Sequence, residues 1–393
     1  MKVICGVSFS GAQSLRCAKE QIRHHSPMAN PARQTLSLDQ LRTYAVARSL
    51  FTPTSLPKAI ARLGFVQADP IRAPARAQDL TLRHRVKGYR VGDLEARYAK
   101  LDIEEDFFVN YGFLPRATHH LMHPRLARHS WSASREKQAT AVLNYVRIHD
   151  VVHPRQVHAY FDHGRVTNGF GGSSNATTHL LDDMHYRGLL RVAGRERGIR
   201  LYAIREASGH RINPQPAMDS LVDVIVHHYA PLPAASLTQL ISLLCRGVPQ
   251  WRDQRQRMVS RAKTRLPNAV VEGISWYWPG GEDPASKRHR ITDTVRLLAP
   301  FDPVVWDRRR FEIFWGWAYR FEAYTPASHR VRGYYALPML WRDQVIGWAN
   351  LSISAGELTA DLGFIGKRPA DAAFKAALDT ELQRMRDFLH LES

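Results

Sequence analysis

Helix, turn, helix and then a short extended segment recurs three times along this chain, and that order restricts the fold more than any other feature. The first copy begins after Ser37, a side chain suited to cap a helix N-terminus, with Leu41, Ala45, Val46 and Leu50 spaced to form one buried stripe. The pattern predicts a second helix over Leu56–Leu63, stopped by Gly64 in a C-cap position, then an apolar run from Phe65 to Asp69 closed by Pro70. The second copy places helices at Val157–Phe161 and Ala176–Tyr186 and a hairpin over Gly188–Ile204. Its strands are predicted at Leu189–Val192 and Ile199–Ile204, joined by a turn holding Arg195, Glu196, Arg197 and Gly198. The third copy is Leu221–His228, Leu237–Leu244 and Arg252–Arg265, ending in the strand-like run Ala269–Trp278. This is the order of a winged helix, and a polar, Arg-bearing turn is what a wing needs to lie against a phosphate backbone.

From Val295 the texture changes to short aromatic runs, predicted as strands at Phe311–Trp317, Tyr319–Tyr324, Val331–Leu337 and Val345–Ser352. With turn signals at Pro326, Asp343 and Gly356 they suggest a small antiparallel barrel or curved sheet whose aromatics form its core. An amphipathic helix over Ala370–Leu389 packs back onto it. The expected class is α+β: winged-helix motifs over 35–130, 131–215 and 216–290, then an antiparallel β-barrel with a C-terminal helix over 291–393. Residues 1–34 lack sustained periodicity and read as a disordered or spurious extension, with Met28 as an alternative start.

In the Phe65–Asp69 run, period-2 alternation puts Gln67 and Asp69 on one face and Val66 and Ala68 on the other. One amide and one carboxylate converging on a point can hold a water, the amide orienting it and the carboxylate polarising it or stabilising a developing cation. On spacing alone the pair also fits a solvent-facing strand end before a turn.

The chain has 55 Lys plus Arg against 36 Asp plus Glu, a formal net charge of +19, which points to a polyanion partner and to nucleic acid first. A basic membrane-surface protein is the competing reading, but no apolar run is long enough to span a bilayer. The 393 residues exceed what one hydrophobic core usually supports. Cys5, Cys17 and Cys245 show neither metal-ligand spacing nor a disulfide framework, which fits a reducing cytoplasm. His119, His120 and His123 lack the intervening Glu of a zincin helix and run into Pro124, so no metal is expected there. Gly171, Gly172, Ser173 and Ser174 are too short a run for a phosphate loop.

The most specific stretch is Arg296 through Pro303 (Arg-Leu-Leu-Ala-Pro-Phe-Asp-Pro), continuing through Trp306, Asp307 and Arg308. It is followed by Tyr319 through Pro326, then Arg330 through Tyr335, Leu337 and Pro338. These residues resemble the barrel signature of the bacterial interstrand-crosslink DNA glycosylases of the AlkZ/YcaQ type, built from tandem winged helices and a C-terminal β-barrel. The resemblance spans about Leu36–Leu389, and Gln67, Ala68, Asp69 looks like that family's Gln-x-Asp motif. It departs where the YcaQ-like members carry a Trp and a His before the proline equivalent to Pro115; here Phe107 and Val109 stand there.

The resemblance implies a monofunctional glycosylase, without metal or organic cofactor, that hydrolyses the N-glycosidic bond of cationic N7- or N3-alkylated purines in double-stranded DNA and unhooks crosslinks. It assigns Asp69 to stabilising the sugar cation and activating water, and Gln67 to positioning that water. Arg83, Arg85, Lys87, Arg195, Arg197, Arg330 and Arg332 are the candidate DNA contacts, each equally readable as part of a solvated charged face. Asp302 and Arg308, in the signature loop, either support the site or fix the loop. The expected protein is a cytoplasmic, nucleoid-associated bacterial monomer. A non-catalytic winged-helix DNA-binding protein or regulator stays open, since fold does not decide function. A nuclease is disfavoured for want of a carboxylate cluster with metal-binding spacing.

Overall fold

A computed structural model describes residues 36–126, 130–167, 173–206 and 212–391, and these belong to one compact unit. The proposed extension over 1–34 lies outside the described residues, as do Cys5 and Cys17. No helix among the described residues is long and apolar enough to cross a membrane.

Local signals set the first elements. The helix Leu38–Ser49 starts in a reciprocal cap, with the Gln40 N–H donating to the Ser37 hydroxyl at 3.2 Å and the Ser37 N–H to the Gln40 side chain at 2.9 Å. The helix Leu56–Leu63 ends at Gly64 with φ +71°, a left-handed conformation in which glycine carries no Cβ penalty. A two-residue strand, Val66–Gln67, follows and pairs with Tyr111–Pro115, which also pairs with Ile103–Phe107.

Two further three-stranded antiparallel sheets follow at the expected intervals. Val151–Val152, Leu190–Glu196 and Ile199–Ile204 form the second, beneath the helices Ala133–His149, Pro154–Phe161 and Ala176–Tyr186. Leu232–Pro233, Asn268–Val271 and Ile274–Tyr277 form the third, with Pro214–Tyr229, Ala234–Gly247 and Arg255–Arg265 as its helices. The run Ala269–Trp278 is therefore a hairpin rather than one strand, turned at Glu272 and Gly273, both with positive φ.

The C-terminal part corrects the sequence reading. Its sheet is four-stranded and antiparallel, Val295–Leu297, Leu337–Trp341, Gln344–Ser354 and Glu357–Phe364 in spatial order, and it is not closed into a barrel. Phe311–Trp317 is not a strand: the helix Arg308–Trp315 occupies it, capped by the Asp307 side chain on the Arg310 N–H and ended by Gly316 at φ +71°. Burial at Arg310, Phe311 and Phe314 gives the i, i+1, i+4 stripe of a helix, so tertiary packing overrides the β-preference of the aromatic run. Tyr319–Tyr324 and Val331–Ala336 are irregular backbone rather than strands. The helix Ala372–Leu389 covers the sheet as expected, with Phe374, Leu378, Met385 and Phe388 buried.

Candidate functional site

The strand Val66–Gln67 ends one residue short of the aspartate. Gln67 lies opposite Gly112, and the Ala68 N–H still donates to the Tyr111 carbonyl at 2.9 Å, so the chain stays extended into Asp69. Val66 packs into the core shared with the second and fourth sheets, while Phe65, and by alternation Gln67, face the other way. Gly112 is required across from Gln67: a Cβ there would sit 2.3 Å from the Val66 carbonyl oxygen and 2.6 Å from the Phe65 ring.

Gln67 is buried, and its Oε1 has no hydrogen-bond partner among the described residues. Asp69 is half-buried; its Oδ1 accepts the Ile71 N–H at 2.9 Å, while its own N–H donates to the Gln78 Oε1 at 3.3 Å. The turn thus uses one carboxylate oxygen and leaves the other uncommitted among the described residues. Burial raises the Asp69 pKa from its ordinary value, against the smaller lowering by the Ile71 N–H. Asp69 opens on a cleft of about 440 Å³ lined also by Arg76, Gln78, Tyr111, Arg195 and Arg200. Gln67 is not among the lining residues, so the sequence expectation of two side chains presented together to one opening is met on that side only by the carboxylate.

Three arginines around this cleft are matched by carboxylates. Arg76 donates to Glu95 at 2.7 Å, Arg195 bonds Glu105, and Arg200 reaches Glu105 at 3.2 Å and Asp182 at 2.9 Å while lying 4.3 Å from the Tyr111 ring centroid. The Gly198 N–H donates to Glu95 at 2.7 Å, so the second hairpin's turn is tied to the short helix Asp93–Arg97 of the first copy. From the C-terminal part, the pKa of the buried Tyr335 phenol is raised by burial and then by the Asp69 charge, and its Oη has no partner among the described residues. The loop that carries Tyr335 is organised by Glu322, whose Oε2 accepts the N–H groups of Val331, Arg332 and Gly333 at 3.0, 2.8 and 3.3 Å.

The other expected site residues divide by exposure. Arg85 is fully buried and makes a two-point ion pair with Asp302, with further bonds to the Ser49 and Thr81 carbonyls. It has no face left for a phosphate, so the expectation of a DNA contact there is corrected: Asp302 and Arg85 fix the signature loop against the first copy. Arg83 is also buried, donating to Glu381 and to the Leu297 carbonyl. Arg195 is committed to Glu105 and to the Gly198 carbonyl. Lys87 and Arg197 are exposed, the latter at the hairpin turn with φ +50°. Arg330 donates to the Thr325 carbonyl and lies 5.0 Å from the Tyr334 ring centroid, and Arg332 lies 4.9 Å from that of Trp317. Arg308 is exposed at the first turn of its helix, beside a cavity of about 410 Å³ that it shares with Asn110, Phe301, Tyr319 and Phe321.

Sequence reasoning missed Gln78, Tyr111, Arg200 and Tyr335. Only Tyr335 carried a signal, inside the signature stretch. Val109, one of the two departures from the family pattern, is buried in the core.

Asp106, His119 and His123 bring ligand atoms within 4.8 Å of one another and are the one such group among the described residues. Both imidazoles bond Asp106 Oδ2, at 3.0 and 3.1 Å, and Arg125 donates to Oδ1 at 3.0 Å and Oδ2 at 3.1 Å. The carboxylate's lone pairs are already taken by these donors, and the arrangement is a buried hydrogen-bond cluster. Arg125 also donates to the Gly247 and Tyr186 carbonyls, which joins all three helix-and-sheet copies at this point.

The fold is similar to that of the Streptomyces sahachiroi DNA glycosylase AlkZ, at 15% sequence identity and a TM-score of 0.60, over 90% of this chain and 97% of that one. A family model described as DNA glycosylase AlkZ-like matches residues 60–388, a span that contains Gln67, Asp69 and the whole signature stretch. The chain belongs to the AlkZ-like DNA glycosylase family and is a DNA glycosylase.

Proposed function

We propose that the chain is a monofunctional glycosylase for cationic N7- or N3-alkylated purines, with Asp69 and Gln67 as its catalytic residues and the three helix-and-sheet copies acting as winged helices. The observation that carries this reading is the half-buried Asp69 carboxylate, with one oxygen uncommitted, at a cleft and two residues along the chain from a buried amide whose Oε1 has no partner among the described residues.

A purine alkylated at N7 already carries the positive charge that base departure neutralises. The C1′–N9 bond breaks with its electron pair going to the base, which leaves neutral, so the leaving group needs little general-acid help. The sugar becomes an oxocarbenium ion, and the Asp69 carboxylate stabilises it in a partly dry site where its charge is less screened. Water then adds to C1′ and its proton passes to Asp69 and on to solvent. Gln67 orients that water through its amide. No covalent enzyme intermediate is invoked, so base release leaves an abasic site and an intact strand.

The test is a panel of duplexes carrying N7-methylguanine, a nitrogen-mustard crosslink, hypoxanthine or uracil, with abasic sites read by heat cleavage. Release of methylguanine and of the crosslink, without the two neutral bases, is the expected result. Efficient uracil or hypoxanthine release would overturn the charge argument. Release of methylguanine alone would retain the chemistry and remove crosslink unhooking.

A further inference from the structure

We propose a phosphate-binding cleft, separate from the Asp69 site, formed by Arg83, Lys87, Arg90 and Arg384 and fitted to the DNA backbone that flanks the lesion. The inference rests on DNA being the substrate and on neither the lesion nor the role of Asp69.

The cleft is about 650 Å³ and is bounded by the chain from Arg83 to Arg90 on one side and by the end of the helix Ala372–Leu389 on the other. Four cationic side chains line it, with Asp387 as the one acidic lining residue among the described residues. This contrasts with the Asp69 cleft, where each arginine is matched by a carboxylate within 3.2 Å or less. Here Lys87 is exposed and has no ion pair among the described residues, and the Arg90 guanidinium lies 3.0 Å from His390 Nδ1 rather than on a carboxylate. Arg384 is half-exposed and among the described residues pairs only with Glu381, at 3.7 Å.

A second observation points to an anion. Arg83 is 6% exposed, and its Nε–H has no acceptor among the described residues although the guanidinium's Nη2 bonds Glu381 and the Leu297 carbonyl. A buried cationic donor left unpaired is costly, and Arg83 is one of the residues lining the cleft. The frame is rigid: the Lys87 N–H donates to the Thr54 carbonyl and the Thr54 N–H to the Arg85 carbonyl, both at 2.9 Å, while Tyr89 stacks on Phe388. The helix Ala77–Leu82 links the two sites, since Gln78 bonds the Asp69 N–H and Arg83 follows its other end.

The experiment measures binding of the full chain to undamaged duplex by fluorescence anisotropy over a salt series, for wild type and for Lys87→Ala and Arg384→Ala, singly and combined. Each substitution should lower the slope of log affinity against log salt by about 0.9, additively. Tripolyphosphate should compete with duplex more effectively on wild type than on the double variant. Slopes equal to wild type in all variants would overturn the proposal. Equal slopes together with tripolyphosphate raising the Tm of wild type alone would reassign the cleft to free phosphate and also overturn it. Absence of base release from any lesion would sink the proposed function and leave these binding readouts unaffected, so the two failures are distinguishable.

Discussion

Arg85 and Asp302 meet in a two-point ion pair, Nη1 to Oδ2 at 2.7 Å and Nη2 to Oδ1 at 2.9 Å, with both side chains fully buried and 217 residues apart in sequence. Asp302 also accepts the Val304 N–H at 3.0 Å, so the same carboxylate shapes its own loop and ties it to the first helix-and-sheet copy. Removing one partner of such a pair strands a buried charge, which typically costs about 3–5 kcal/mol. Asp302→Ala should therefore lower stability by that order in urea unfolding. A Tm and midpoint unchanged from wild type would remove this pair from the account of how the signature loop is held.

Asp69→Asn should cut single-turnover release of N7-methylguanine by about a hundredfold or more, since it deletes the charge facing the sugar cation. Duplex affinity should stay within about threefold of wild type, the side chain being nearly isosteric. Gln67→Ala should be impaired less severely, because Asp69 can still hold the water. Near wild-type excision by Asp69→Asn would take the carboxylate out of the mechanism.

The acid limb of activity should lie above the ordinary aspartate range. Burial raises the Asp69 pKa, and only the ionised carboxylate stabilises a cation, so the rate falls as pH drops through that raised value. A single-turnover rate that stays level down to pH 4 would contradict this.

Stability should fall with acid from about pH 6.5 downward. His123 and His228 are held neutral by burial, their pKa values pushed down to about 3, whereas unfolded histidine titrates near 6.5. A depressed histidine contributes stability that is full above the unfolded value and is lost as pH falls below it, at about 1.4 kcal/mol per pH unit for each group. Asp106, held well below the carboxylate range by Arg125 and the two histidines against its own burial, adds a loss in the same direction at lower pH. Chemical denaturation at pH 7, 6 and 5 measures the slope. A flat profile would mean that these imidazoles are solvated.

The hairpin arginines should separate in a salt series. Arg197→Ala should lower the salt slope of duplex binding by about 0.9 if its exposed side chain reaches a phosphate. Arg195→Ala should instead act through stability, because its guanidinium is bound to Glu105 and the Gly198 carbonyl. The reverse pattern would show that the hairpin is held against DNA differently from its resting contacts.

Features that depend on a few neighbouring residues were determined by the sequence alone. Ser37 with Gln40 closes a capping box, Gly64 takes the left-handed conformation, and alternation turns Val66 inward beside Gln67. Each is a matter of backbone dihedrals and side-chain period, with no distant partner needed. The signature stretch was legible as a family mark, yet its physical meaning was not: Glu322 gathers three N–H groups of its own loop, while Asp302 serves a guanidinium from another part of the chain. Tertiary structure alone decided which arginines face solvent. Arg83, Arg85 and Lys87 lie within five positions and are alike in local sequence, but the first two meet Glu381 and Asp302 from the C-terminal part and the third meets none. Tertiary packing likewise made Arg308–Trp315 a helix despite its aromatic run, since the face that Phe311 and Phe314 bury belongs to cores supplied by other segments. Local propensity fixes dihedrals over a few residues, whereas burial and charge pairing depend on partners whose positions exist only once the chain has folded.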